Sequence, residues 1–131
     1  MNRQFPIVSN IEAMAFEINC GKIIDIMLLV VYRKPGSVLD FIDLFEEQIQ
    51  SLPTNKRLLI VGDFNLDQRD INLVKLFDDV INKFSLTQRS NFTTHSQGGI
   101  LDLVFDNNKD ADTAKILPVP FSDHFITFFD L

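Results

Sequence analysis

Side chains suited to hydrolytic chemistry occur next to apolar stretches of this sequence. Asp63 and Asn65 follow one apolar run, Asp102 lies inside a second, and Asp123 and His124 precede a third. Such junctions between strands and loops are where functional groups commonly lie. Asp63, Asn65 and Asp123 form an oxygen-rich, thiol-free set, which suits Mg²⁺ or Mn²⁺ and suits zinc poorly. Carboxylates, a hard cation and one histidine are groups that together hydrolyse a phosphoester.

Asp102 is predicted to have a partner, because it lies within the apolar stretch 101–105. An acid in an apolar strand is unfavourable to bury unless a positive or hydrogen-bonding group meets it. The chain has two histidines, and His124, beside Asp123 and before an apolar stretch, is the better partner. We therefore expect an Asp102–His124 pair, which fixes the imidazole tautomer and stabilises its protonated form.

Several of these residues also have a purely structural interpretation. Asp63 and Asn65 both favour turns and caps, so they fit a turn that follows a strand. Tyr32, at the end of an apolar run, fits an amphipathic core residue. His95 lies in the polar stretch 93–96, and we expect it to be solvated.

Apolar patterning predicts the strands that position these groups. Residues 12–18 alternate, which is typical of a strand near a sheet edge, and residues 23–32 are almost continuously apolar, as in a central strand covered on both faces. We expect these two to form an antiparallel hairpin. Further strands are predicted at 57–61, 100–105, 116–119 and 125–129. The strand that ends at Gly62 would present Asp63 at the sheet edge, where α/β folds hold their chemistry.

Helical periodicity predicts two helices, at about 37–52 and 70–84. Ser37 and Asp70 are their predicted N-terminal caps, and Pro53 ends the first. The second helix carries apolar residues on two faces, Ile71 among them, so we expect it to be broadly buried. The element order β-β-α-β-α-β-β-β indicates an α/β or α+β fold with a mixed sheet and a single domain.

Composition and charge exclude several classes of protein. With 131 residues, 46% hydrophobic and 13 of them Phe, the chain can bury a sizeable single core. No apolar run is long enough to span a bilayer, no secretory signal opens the chain, and one cysteine excludes an internal disulfide. These features predict an intracellular protein, nuclear or cytoplasmic. The formal net charge of −6 disfavours tight DNA binding through the overall field, although a divalent cation brings its own positive charge.

Four motifs carry a resemblance to a known superfamily. In order they are Tyr32-Arg33-Lys34-Pro35, Gly62-Asp63-Phe64-Asn65, Gly99-Ile100-Leu101-Asp102-Leu103-Val104-Phe105 and Ser122-Asp123-His124. Together they resemble the endonuclease/exonuclease/phosphatase superfamily, which includes abasic-site endonucleases and DNase-I-like enzymes. The Leu-Asp-Leu-Val-Phe stretch before Pro-x-Pro-x-Ser-Asp-His is most similar to the endonuclease domain of non-LTR retrotransposons. The resemblance extends over nearly the whole chain from about residue 12.

The resemblance implies a Mg²⁺- or Mn²⁺-dependent phosphodiesterase that acts on DNA. Asp63 would orient and deprotonate the attacking water, and Asn65 would hold water or phosphate beside it. His124 would stabilise charge on the phosphoryl oxygens, and Asp102 would orient His124. Asp123 would lie at or near the metal, with Asp63 and Asn65 as further ligands.

Tyr32 would contact the scissile phosphate, but the stretch before it departs from the family. The implied fold is a two-sheet α/β sandwich, and this chain resembles its C-terminal part. The first half of such a domain supplies an Asn and a metal-binding Glu, whereas Asn10, Glu12 and Glu17 lack the family's Gln-Glu context. We therefore expect weak metal binding, impaired activity, and an exposed sheet face that promotes self-association.

Two other functions stay open at the level of sequence. The chain fits a catalytically inactive remnant that folds by oligomerising or with a partner. It also fits a phosphomonoesterase of the same superfamily, acting on a small phosphomonoester or inositol phosphate, although nothing in the sequence resembles a sugar-phosphate pocket.

Overall fold

The computed structural model describes residues 3–7, 11–19, 25–34, 38–53, 55–65, 69, 71–90, 102–108, 115–118, 120 and 122–128. Their strands are β1 (Arg3–Phe5), β2 (Glu12–Asn19), β3 (Asp25–Tyr32), β4 (Arg57–Asp63), β5 (Thr87–Gln88), β6 (Asp102–Asp106), β7 (Lys115–Leu117) and β8 (Ile126–Phe128). The predicted helices are confirmed as α1 (Val38–Gln50) and α2 (Ile71–Lys83). Ser37, Asp70 and His95 lie outside the described residues.

Six strands form one mixed sheet in the order β1-β2-β3-β4-β6-β5. The predicted β2–β3 hairpin is antiparallel, as expected. β3 and β4 are parallel, and α1 provides the crossover that parallel neighbours require. β6 runs antiparallel to β4, and β7 and β8 form a separate two-stranded sheet. The α+β class with a mixed sheet is therefore confirmed.

Two strands were not predicted, and β4 ends later than predicted. β1 and β5 have three and two residues at the two sheet edges, too short for apolar alternation to show. β4 extends through Gly62 to Asp63, because that part of the strand still pairs with β3 and β6. Asp63 is therefore a strand residue, not the first residue after the strand.

One face of the sheet packs on both helices through a cluster of five phenylalanine rings. Phe64 meets the rings of Phe41, Phe45, Phe77 and Phe105 edge-on, with centroids 5.5–5.9 Å apart. Each such pair stabilises by about 0.5–1.5 kcal/mol beyond burial. The fully buried Phe64 thus anchors the backbone between Asp63 and Asn65.

Helix α2 is less buried than its sequence predicted. Phe77 and Val80 lie in the core, but Ile71 is 68% exposed. The expectation that Ile71 is buried is therefore wrong; this first residue of α2 is mostly exposed. Among the described residues, no helix combines the length and apolarity that crossing a bilayer requires.

The opposite face of the sheet holds a smaller apolar cluster. Ile26, Leu59 and Val104 are buried there, and Leu28 and Val61 pack against them partly exposed. Toward the β2 edge, Met14 is 49% exposed. This face therefore holds three buried residues at its centre and a half-exposed one toward β2.

A buried ion cluster stabilises the end of the sheet that lies away from Asp63. Asp106, fully buried, accepts hydrogen bonds from Arg57 Nε (3.1 Å) and Nη2 (2.6 Å). Arg89, 2% exposed, donates to the same carboxylate at 3.3 Å. These contacts join β4 to β6 and to the segment after β5.

Candidate active site

Three predicted site residues lie side by side across neighbouring strands. Tyr32 on β3 pairs with Asp63 on β4, and Asp63 pairs with Asp102 on β6. Residues paired in this way project from the same face, with strands about 4.8 Å apart. Two carboxylates directly opposite each other repel, so this row favours a positive group beside Asp63 and Asp102.

Gly62 allows the ends of β3 and β4 to come this close. A Cβ atom on Gly62 would lie 1.8 Å from the backbone oxygen of Val31, so no other residue fits without moving a strand. The absence of a side chain at this position therefore brings Tyr32 and Asp63 together.

His124 lies beside both carboxylates, where its protonated ring offsets their charge. Its Nδ1 lies 2.8 Å from Asp102 Oδ2, and its Nε2 lies 3.6 Å from Asp63 Oδ2. The backbone N–H of His124 donates to Ser122 Oγ at 3.1 Å, which orders the segment just before β8. The Asp102–His124 contact predicted from the sequence is present.

The pKa of His124 is raised above its ordinary value of 6.5, chiefly by the hydrogen bond with Asp102. Partial burial opposes this, and the negative charges of Asp102, Asp63 and Asp123 add to it. The carboxylates therefore favour the imidazolium, which can donate a hydrogen bond to an anion.

Asp63 and Asn65 form a turn at the end of β4. The N–H of Asn65 donates to Asp63 Oδ1 at 3.0 Å, a side-chain turn of the kind that Asp favours. The amide Nδ2 of Asn65 donates to the backbone oxygen of Arg33 at 2.6 Å. The expected turn is therefore present, but it begins at Asp63, the last residue of β4. The other oxygen of the Asp63 carboxylate lies toward His124.

Tyr32 and Asp123 lie at the rim of the site. Tyr32 is 46% exposed, so its interpretation as a core residue is wrong. Asp123 is exposed and contributes negative charge beside His124. Glu12, the next residue in the row on β2, forms a salt bridge with Lys34 at 2.7 Å.

Sequence reasoning missed the structural role of Arg33, which it named only as a residue of the first motif. Arg33 is 7% exposed, and its Nε donates to the backbone oxygen of Phe64 at 2.5 Å. The available signal was a charged residue directly after the apolar strand β3, within the first motif.

The site opens into a cleft of about 780 Å³ between the sheet face and the segment around β8. Asp63, Asp102 and His124 lie among its lining residues, together with apolar side chains of β3, β4 and β6. The donor atoms of these three residues all lie within 4.8 Å of one another. Such a cluster can bind a cation or present an imidazolium to a bound anion.

A comparison with protein-family models shows to which family this chain belongs. The family model described as endonuclease-reverse transcriptase matches residues 26–128, which include every predicted site residue. The chain belongs to this family. It is an endonuclease/exonuclease/phosphatase-type domain of the retrotransposon-endonuclease kind, and members of that superfamily are hydrolases that include nucleases. Among curated proteins, none matches.

Solved structures show the same fold at low identity. The endonuclease domain of TRAS1, a telomere-specific non-LTR retrotransposon, is 14% identical with a TM-score of 0.79, covering 97% of this chain and 64% of its own. An endonuclease/exonuclease/phosphatase family protein from Leptotrichia buccalis is 15% identical with a TM-score of 0.67, covering 91% and 54%. The cytolethal distending toxin of Haemophilus ducreyi is 18% identical with a TM-score of 0.58, covering 95% and 55%. This member of the endonuclease-reverse transcriptase family thus spans between about half and two thirds of the length of each of these structures.

Proposed function

We propose that this chain carries the hydrolytic site of a metal-dependent, retrotransposon-type DNA endonuclease. The observation that carries the proposal is the position of His124 between Asp102 and Asp63, at 2.8 and 3.6 Å, in a cleft at the strand ends. Family membership and the likeness to the TRAS1 endonuclease domain support it.

The donor set fits a divalent cation. Carboxylate oxygens of Asp63 and Asp102 converge within 4.8 Å, and hard cations such as Mg²⁺ or Mn²⁺ prefer oxygen ligands. Asp63 and Asp102 would hold the ion, with Asp123 and Asn65 as the further oxygen ligands predicted from the sequence. When bound, the ion neutralises charge on a phosphoryl group and makes water a better nucleophile.

Beyond holding the cation, the residues of the cluster also act on the attacking water and on the phosphoryl group in this proposal. One oxygen of Asp63 is engaged by the Asn65 N–H, and the other accepts the proton of the attacking water. The Nε2 side of the His124 ring donates to a phosphoryl oxygen as negative charge develops. Asp102 holds the His124 ring through Nδ1.

Tyr32 and Asn65 are proposed to position the substrate. The Tyr32 side chain is exposed beside Asp63, where its hydroxyl can donate to the scissile phosphate. Asn65 donates to Arg33 through Nδ2, so its side-chain oxygen is the atom that would bind the cation or water. Because the net charge is −6, DNA binding depends strongly on the divalent cation.

Nicking of supercoiled plasmid tests the proposal. Wild-type protein with Mg²⁺ or Mn²⁺ is expected to convert plasmid to the open circle, and excess EDTA is expected to abolish the conversion. Asp63→Asn removes the proposed base and should lower nicking by at least about 100-fold, whereas Asp79→Asn, an exposed acid of α2, should nick normally. Nicking in EDTA at the full rate would contradict the proposal.

A second candidate function is self-association through the apolar sheet face. It is favoured by Met14, 49% exposed, which continues the face that holds the partly exposed Leu28. A second copy of this chain is the proposed occupant. Light scattering should then show a dimer that Met14→Lys weakens; a monomer at high concentration would contradict this function.

A further inference from the structure

The loop at the end of β4 is bound by one residue from the end of β3. The N–H of Arg33 donates to the backbone oxygen of Asp63 at 2.8 Å. The Nε of Arg33 donates to the backbone oxygen of Phe64 at 2.5 Å, and its Nη2 donates to the backbone oxygen of Asn65 at 2.6 Å. Asn65 Nδ2 donates back to the oxygen of Arg33 at 2.6 Å. Three consecutive carbonyls of the site loop thus accept hydrogen bonds from a single residue.

These bonds maintain the backbone conformation on which the Asp63 side chain depends. Asn65 has a φ of 45°, in the left-handed region, which asparagine adopts more readily than most other non-glycine residues. The bonds from Arg33 to the oxygens of Phe64 and Asn65 hold the loop in this conformation. In that conformation the N–H of Asn65 donates to Asp63 Oδ1 at 3.0 Å, while Oδ2 lies 3.6 Å from His124 Nε2. Arg33 therefore holds the backbone from which the Asp63 carboxylate is directed toward His124.

The arrangement requires an arginine. The guanidinium presents its N–H groups in a rigid planar fork, whereas a lysine ammonium is a single point on a flexible stem. Nε and Nη2 reach two successive carbonyls, and Nη1 reaches the oxygen of Lys34 at 3.3 Å. With Arg33 only 7% exposed, water competes little for these bonds.

We propose that Arg33 is a positioning residue for the hydrolytic site. It orients the Asp63 carboxylate through the backbone of Phe64 and Asn65, and acts on the reaction only through Asp63. The catalytic consequence rests on the proposed function. The positioning itself is measurable in the protein without any activity.

Amide hydrogen exchange, followed residue by residue by NMR, tests the positioning. In Arg33→Lys and Arg33→Gln, the Asn65 amide should exchange about tenfold faster or more, as expected for the loss of one or two hydrogen bonds. The amides of Leu59 and Ile60 within β4 should keep their protection. Arg57→Lys, a matched change at the other end of β4, should leave Asn65 unaffected.

The nicking assay tests the catalytic consequence. Arg33→Lys should lower kcat by about 10- to 100-fold with KM unchanged, because a displaced base impairs the chemical step more than binding. Unchanged kcat in a variant whose Asn65 amide has lost protection would overturn this part.

Other outcomes overturn the positioning role itself. An unchanged hydrogen-exchange rate of the Asn65 amide in both Arg33 variants would overturn the positioning role. Parallel loss of protection throughout β4, or failure of both variants to fold, would show a general structural role instead. If the wild-type protein nicks no DNA, the proposed function fails alone, and the Asn65 exchange rates still decide whether Arg33 positions Asp63.

Discussion

His124 Nδ1 lies 2.8 Å from Asp102 Oδ2, and this contact joins the segment before β8 to strand β6 of the central sheet. It orients an imidazole whose other nitrogen faces Asp63. The same contact raises the pKa of His124 above 6.5. A single pair therefore links the local architecture to the protonation state of the site.

The stability of the protein should depend on pH through His124. Because the folded pKa is raised, the contribution of His124 is fully present below the unfolded pKa of about 6.5 and is lost as pH rises through the folded value. In metal-free buffer, the free energy of unfolding of wild type should exceed that of His124→Gln most at low pH. Urea titrations from pH 5.5 to 9 measure this difference, with His95→Gln as the control for the other histidine. Parallel pH profiles for wild type and His124→Gln would contradict it.

Removing one carboxylate should weaken cation binding. Asp63→Asn replaces a charged oxygen donor of the Asp63/Asp102/His124 cluster. Mn²⁺ affinity should therefore fall by at least about tenfold, because losing a partner outside the ligand shell already lowers metal affinity by about that much. Isothermal titration calorimetry measures the Mn²⁺ affinity, and Asp79→Asn should bind Mn²⁺ with the wild-type affinity. Equal Mn²⁺ affinity in Asp63→Asn and wild type would remove Asp63 from the metal site.

Gly62→Ala should separate β3 from β4. The added methyl group would lie 1.8 Å from the oxygen of Val31, and overpacking of this kind destabilises by about 1–3 kcal/mol or more. Nicking should also fall, because Tyr32 and Asp63 move apart. Denaturant unfolding and the plasmid assay measure the two effects, and wild-type values in both would refute this reason for the glycine.

The buried ion cluster should matter for stability and leave the site chemistry unchanged. Asp106→Asn leaves Arg57 and Arg89 beside an uncharged group, which should destabilise by about 3–5 kcal/mol. Glu46→Gln removes an ion pair with Lys83 that is much more exposed, and should change stability by less than about 1 kcal/mol. Urea unfolding compares the two, and similar effects would contradict the difference in burial.

The sequence predicted the elements that have strong periodicity and the contacts that have few possible partners. Continuous apolarity in β3 and the stripe of α1 are each visible within a single segment. The Asp102–His124 contact was predictable because an acid in an apolar strand favours a positive neighbour and the chain offers two histidines.

The features that escaped prediction depend on tertiary neighbours. β1 and β5 are too short to show a pattern, and they exist because a paired neighbour is present. Burial of Arg33 follows from three carbonyls that lie about 30 positions further along the chain. The exposure of Ile71 depends on where α2 begins relative to the sheet, which helical spacing alone does not specify.

Plasmid nicking by His124→Ala tests the central claim most directly. Wild type and Asp79→Asn should nick supercoiled DNA at equal rates with Mg²⁺ or Mn²⁺. His124→Ala, with its fold verified by circular dichroism, should lose at least about 100-fold in rate, the usual range for a proton donor in a transition state. Nicking by His124→Ala at the wild-type rate would contradict the role of the Asp102–His124–Asp63 cluster.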